Sequence, residues 1–259
     1  MRKQLSESDS AILTEVQKYG VRTFKELREN VLSEYDRAYA WRKMRKLVEV
    51  GLLNVIQDPS GAIAGWRMVS SNRTVDRYPE KSAKIINHKA YKYQTNFAHD
   101  LEVRWTCDQM EKVPMVTKIE TESKLRSDVF SDIRGSSRRE MNQLLSKIPD
   151  ARITLKKGEH TYYVALEMEL TQKSSDRLYE KLEHYIAKSG YDLVLYVCGT
   201  ESIYNSIKRN YSRVIANSAA VKFANEKAGI YVCMLSDLKS DFMHAVFKSH
   251  HDEFSISQL

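Results

Sequence analysis

The stretch from Pro149 to Tyr185 constrains the chain most. Two apolar runs, Ala151 to Leu155 and Tyr162 to Leu170, flank the polar turn Lys156-Lys157-Gly158-Glu159, a pattern that predicts a β-hairpin followed by a helix. On the second strand side chains alternate, so Val164, Leu166, Met168 and Leu170 share one face while Tyr163, Ala165, Glu167 and Glu169 share the other. Two carboxylates then stand side by side, and each raises the other's pKa unless a cation or solvent offsets the repulsion. With Asp150 at the mouth of the preceding strand, the set holds three hard oxygen donors. Such a set suits Mg²⁺ or Mn²⁺, which take carboxylates, waters and the phosphate oxygens of a substrate. The chemistry implied is metal-assisted phosphodiester cleavage. Taken alone, the Glu-x-Glu pair also fits a half-exposed antiparallel strand whose polar side chains face water.

The residues on either side of the pair favour the metal site. The segment resembles the nuclease superfamily whose signature is Pro-Asp, a spacer, then Asp/Glu-x-Lys on the next strand. The resemblance makes Asp150 the first acid, Glu167 the second and Glu169 the third position, where that superfamily more often carries lysine. Lys181 and Tyr185 lie four apart on the next helix and share a face, where some members carry Gln-x-x-x-Tyr. Either Lys181 or Lys173, just past the strand, is then the source of the positive charge. Tyr185 also fits core packing with Leu178 and Leu182.

Charge is unevenly distributed along the 259 residues, whose formal net charge is +7. Residues 1–95 hold 18 Lys and Arg against 11 Asp and Glu, and the remainder balances, so the excess lies at the front. A basic module joined to a neutral one fits a chain that holds a polyanion with one part and acts on it with the other. In the basic part, Ser8-Asp9-Ser10 offers caps for a helix ending at Gly20, and Thr23 caps a second helix with Glu26 at the capping-box position. A third helix is predicted from near Ser33 to Gly51, with Ala40, Met44, Leu47 and Val48 inward and Tyr39, Arg42, Arg45 and Lys46 on the opposite arc. A hairpin comes next, with Arg67 on its second strand. Three helices and a hairpin are the order of a winged helix-turn-helix, which assigns Tyr39, Arg42, Arg45, Lys46 and Arg67 to DNA contacts.

The domain boundaries read from these patterns are a winged helix over 1–70, a linker over 71–95, a nuclease domain over 96–239 and a tail over 240–259. Asn96 caps a helix carrying Glu102, which is a further candidate metal ligand, and His99. Arginines 134, 138 and 139 sit in a polar insertion between Ser127 and Lys147. Tyr191 to Cys198 reads as a strand buried on both faces. No run approaches a membrane span, and the N-terminus lacks an apolar signal core. Three widely spaced cysteines, Cys107, Cys198 and Cys233, fit reduced thiols in a cytoplasm.

Helix, strand, two-stranded hairpin, helix and buried strand match the αβββαβ core of restriction-endonuclease-like folds, giving an α/β chain with a winged helix in front. Together with the Arg42 to Leu52 helix end, the His99 helix and the Pro149-Asp150 strand, this resembles the MobC-type mobilisation relaxases of the plasmid replication-relaxation family. The resemblance implies a site- and strand-specific nick at a plasmid transfer origin with Mg²⁺ or Mn²⁺. It also implies DNA as the partner, with other mobilisation or coupling proteins. Asp150, Glu167 and Glu169 hold metal in that reading, and the attacking group is water or the hydroxyl of Tyr162, Tyr163 or Tyr185. Two alternatives stand beside it: a DNA-binding regulator with an inactive nuclease-like domain, and a sequence-specific double-strand endonuclease.

Overall fold

The computed structural model describes residues 5–58, 60–68, 97–126, 147–222 and 228–259. The chain divides into two compact units; among the described residues the first takes those up to Leu101 together with Arg126, and the second takes the rest. The region 71–95, expected as a linker, and the arginine-bearing insertion at 127–146 lie outside the described residues, as does Asn96.

The first unit contains α1 (Glu7–Tyr19), β1 (Val21–Arg22), α2 (Phe24–Asn30), α3 (Arg37–Glu49), β2 (Leu53–Gln57) and β3 (Ile63–Met68). Its three strands form an antiparallel sheet in the order β1-β3-β2. Two helix starts differ from the sequence reading, and both move to a better cap. α1 begins after Ser6, because Ser6 Oγ accepts from Asp9 N–H while the Asp9 carboxylate accepts from Ser6 N–H, closing a capping box. α3 begins after Asp36 instead of near Ser33, since Asp36 Oδ1 accepts from Tyr39 N–H at 2.8 Å. Thr23 and Glu26 cap α2 as the sequence indicates. Ile12, Val16, Leu27, Ala40, Met44 and Leu47 form the centre of the core and meet Trp66 from β3. Gly65 passes so close to β1 that an added Cβ would lie 2.9 Å from the Arg22 carbonyl oxygen.

The second unit carries most of α4 (Ala98–Met110), then β4 (Val116–Thr121), β5 (Ala151–Lys157), β6 (His160–Glu169), α5 (Ser175–Lys188), β7 (Leu193–Cys198), α6 (Glu201–Asn217), α7 (Ala219–Lys222), β8 (Gly229–Met234), α8 (Leu235–Ser240), β9 (Val246–Lys248) and β10 (Glu253–Ser255). Among the described residues, seven strands form one sheet in the order β10-β9-β8-β7-β6-β5-β4. β4, β5 and β6 run antiparallel, whereas β6, β7 and β8 are parallel. The continuous apolar run in β7 results from that position, since a central parallel strand is covered on both faces. α5 and α6 pack on one face, where Leu178, Leu182, Ile186, Ile203 and Ile207 meet Ala165, Val194 and Tyr196 of the strands. Residues 240–259, expected as a tail, instead supply β9 and β10 and bury Phe247 and Ile256. Their polar sequence hides this because only alternate residues of such short edge strands turn inward. The three cysteines are buried and reduced, and no helix of the described residues is long and apolar enough to cross a membrane.

Candidate active site

The hairpin register assembles the acids. Ala151 pairs with Leu166 and Arg152 with Ala165, so Asp150, the residue before β5, comes level with the end of β6, and its Oδ2 accepts from Met168 N–H at 2.7 Å. On β6, Glu167 and Glu169 share the face that α5 covers. β6 is also the third strand from the sheet's β4 edge, paired on both sides, so the half-exposed alternative does not hold. Glu167 is 1% exposed and Glu169 3%.

α5 supplies the counter-charge. Its apolar residues Leu178, Leu182, Tyr185 and Ile186 recur at helical spacing and turn inward. That phase sets Lys181 beside Glu167, with Nζ donating to Oε2 at 2.5 Å. The Tyr185 hydroxyl donates to Oε1 of the same carboxylate, while its ring packs in the core. Tyr185 therefore packs in the core and also bonds the Glu167 carboxylate. Lys173 donates to Glu169 Oε1, so the two candidate lysines each hold one glutamate.

These surroundings set the protonation states. Burial pushes Glu167 up to about 7, against the pull of Lys181 and with a further push from Asp150. Burial alone would lower Lys181, but the Glu167, Asp150 and Glu169 carboxylates together outweigh it and raise the ammonium above its ordinary value. Burial and then Glu167 place the Tyr185 phenol well above the tyrosine range. Next to the cluster, Glu120 on β4 accepts from Arg152 Nη2 at 2.7 Å and pairs with Lys118 at 2.8 Å. Although burial raises this carboxyl, those cations win and hold it below the usual range.

Other expected members stand apart. Glu102 pairs with Lys239 at 2.6 Å, because its position on α4 faces the α8 lysine. Tyr162 and Tyr163 are 37% and 46% exposed, but Tyr163 precedes Glu167 by four residues, about 13 Å along an extended strand. Tyr196 on β7 is opposite Glu167 in the parallel register and fully buried, and among the described residues its hydroxyl has no hydrogen-bond partner. Sequence reading passed over it as one more member of an apolar run. Its signal was a lone hydroxyl in the strand that had to pair with the Glu167 strand.

The donor chemistry suits a hard divalent cation, since Asp150, Glu167 and Glu169 offer only carboxylate oxygens and two ammonium groups already stand against them. Among the described residues no three acidic, histidine or cysteine side chains converge on one point as they stand. Chelation thus needs the contacts of Lys181 and Lys173 with the two glutamates to open.

In the first unit, Arg42, Arg45 and Lys46 project from α3 into solvent, with Arg45 3.8 Å from Glu49. Tyr39 is half-buried and stacks on the exposed Tyr35 at 4.7 Å. Lys43, on the same helix, is committed to Asp9 Oδ1 at 3.0 Å and Ser6 Oγ at 2.8 Å. Arg67 is half-buried on β3.

No family model matches the chain, and no curated protein does. Solved structures that align with it include a pre-specific restriction endonuclease BsaWI–DNA complex, 13% identical over 88% of this chain and 83% of that one, with a TM-score of 0.28. Restriction endonuclease FokI bound to DNA aligns at 11% identity over 91% of this chain and 45% of its own, with a TM-score of 0.28. FokI without DNA aligns at 11% identity over 89% and 43%, with a TM-score of 0.31.

Proposed function

We propose that this protein is a metal-dependent DNA nuclease of restriction-endonuclease-like fold that nicks one strand at a plasmid transfer origin. A winged helix-turn-helix in its first unit places it on the site. The observation that carries the reading is the buried Glu167 carboxylate, clasped by Lys181 and Tyr185 and level with Asp150 and Glu169 at the ends of adjacent strands. Asp150, Glu167 and Glu169 are the residues to hold Mg²⁺ or Mn²⁺, which when bound polarises a phosphate and acidifies an attacking water.

The chain's own groups do the rest. Lys181 and Lys173, whose side chains are 14% and 23% exposed, stand beside the acids and can stabilise charge developing on a phosphate. Tyr185 fixes the orientation of Glu167. Its buried, raised phenol is a poor nucleophile, and the exposed Tyr162 and Tyr163 belong to the far end of the strand. Water is accordingly the attacking group. Arg42, Arg45 and Lys46 meet phosphates or base edges, and Arg67 the backbone. Other mobilisation or coupling proteins are the further partners of such a nick.

A second reading is a DNA-binding regulator with a silent site. It is favoured by the internal ion pairs, which leave Glu167 and Glu169 already neutralised. Supercoiled plasmid carrying the chain's own gene neighbourhood, incubated with Mg²⁺, Mn²⁺ or EDTA, separates the readings. Open circles from wild type and none from Glu167→Ala support the nickase, and linear product points to a double-strand endonuclease. A specific gel shift without cleavage under either metal favours the regulator.

A further inference from the structure

Tyr196 is the one hydroxyl-bearing side chain in the Leu193-Val194-Leu195-Tyr196-Val197-Cys198 run of β7. Phenylalanine would fill the same space without burying a polar atom that lacks a partner among the described residues, and such an atom lowers stability. The position of this orphan is informative. Tyr196 is level with Glu167 on the neighbouring strand and on the same face of the sheet. The Glu167, Glu169 and Asp150 carboxylates all act on its phenol, after burial itself.

Among the described residues Glu167 has two donors, and they differ in how they can move. Tyr185 sits in the core and cannot leave Oε1 without opening it. Lys181 reaches Oε2 from the rim, with its side chain 14% exposed. When Lys181 turns toward a phosphate, Oε2 is left in the interior without a donor, a loss that a buried carboxylate tolerates poorly.

We propose that the Tyr196 hydroxyl is a positioning group for Glu167, taking the carboxylate that Lys181 releases and holding it in place, with Tyr185, while the site is loaded. This inference rests on the nuclease reading of the site. The hydroxyl is thus idle in the resting protein and employed in the working one.

Tyr196→Phe in the full chain tests it, because the substitution keeps the ring. Three quantities are read: the melting temperature in EDTA, Mn²⁺ affinity by titration calorimetry, and the rate of supercoil relaxation. The expected variant melts at or above the wild-type temperature, binds Mn²⁺ about tenfold more weakly and relaxes plasmid correspondingly more slowly. Tyr185→Phe is the contrast, since it removes a bond already made and lowers the melting temperature. Wild-type Mn²⁺ affinity and rate in Tyr196→Phe would overturn the proposal and leave the nuclease reading intact. A lower melting temperature for Tyr196→Phe would also overturn it, by showing a partner in the resting state. A wild type that neither binds Mn²⁺ nor cleaves would remove the nuclease reading and this inference together.

Discussion

Glu167 titrates where few glutamates do, and this fixes the sign of its effect on stability. Burial lifts it from 4.5 to about 7, so the folded chain binds this proton more tightly than the unfolded chain. Its contribution is therefore complete below 4.5, declines as pH rises and is lost above about 7. At about 1.4 kcal/mol per pH unit the span is on the order of 3 kcal/mol. Urea unfolding in EDTA should show wild type losing that much relative to Glu167→Gln between about pH 4.5 and 8; parallel curves would place Glu167 at an ordinary pKa. Lys181→Met should destabilise by about 3 kcal/mol near pH 8, where it strands a buried carboxylate, and by little near pH 5, where Glu167 is protonated. The pattern of acids was legible in sequence, because alternation on one strand fixes their common face. Their burial was not, since it depends on β7 pairing with the far edge of β6 and on the helix above.

At the scale of the element, α3 holds one of its cations inward and leaves Arg42, Arg45 and Lys46 exposed. Lys43 ties α3 to the start of α1 through Asp9, whose carboxyl burial would raise but whose bonds to Ser6 and Lys43 hold low. That pair stabilises above the ordinary aspartate pKa of 3.8 and fails as pH falls through the lowered value. Lys43→Met should cost about 2 kcal/mol of stability near neutral pH, measured by urea unfolding. Arg42→Ala and Lys46→Ala should leave stability unchanged within about 0.5 kcal/mol. Each should weaken binding to duplex DNA and reduce the slope of log affinity against log salt by about 1. A Lys43→Met protein that keeps its stability but loses DNA affinity would reverse this division. The sequence already kept Lys43 off the basic arc, because its spacing from Ala40 and Met44 sets it on the flank of the apolar face. What it could not give was the partner, since Asp9 became visible only when Ser6 took over as cap.

Across the whole molecule, the charge excess of the first 95 residues and the seven-stranded sheet of the second unit answer different questions. Charge was readable by counting, and so was the αβββαβ order, because each element announces itself by local period. The end of the chain was not readable in this way. Between Asp241 and Leu259, polar residues and three histidines outnumber apolar ones, and the strands are three residues each, too short for alternation to register. Their stabilising contacts outside the segment are distant in sequence: Phe254 meets the Tyr231 ring at 4.8 Å, His250 stacks on Tyr211 at 5.0 Å, and Lys157 Nζ donates to the Leu259 carbonyl at 3.0 Å. Removing residues 241–259 strips a fully buried phenylalanine and a buried isoleucine from the sheet, about 4 kcal/mol at roughly 2 kcal/mol per side chain. It also exposes the edge of β8 to intermolecular pairing. The truncated chain should melt on the order of 10 °C lower than the full chain and aggregate on heating, as calorimetry and light scattering would record. An unchanged melting temperature would return this segment to the status of a tail.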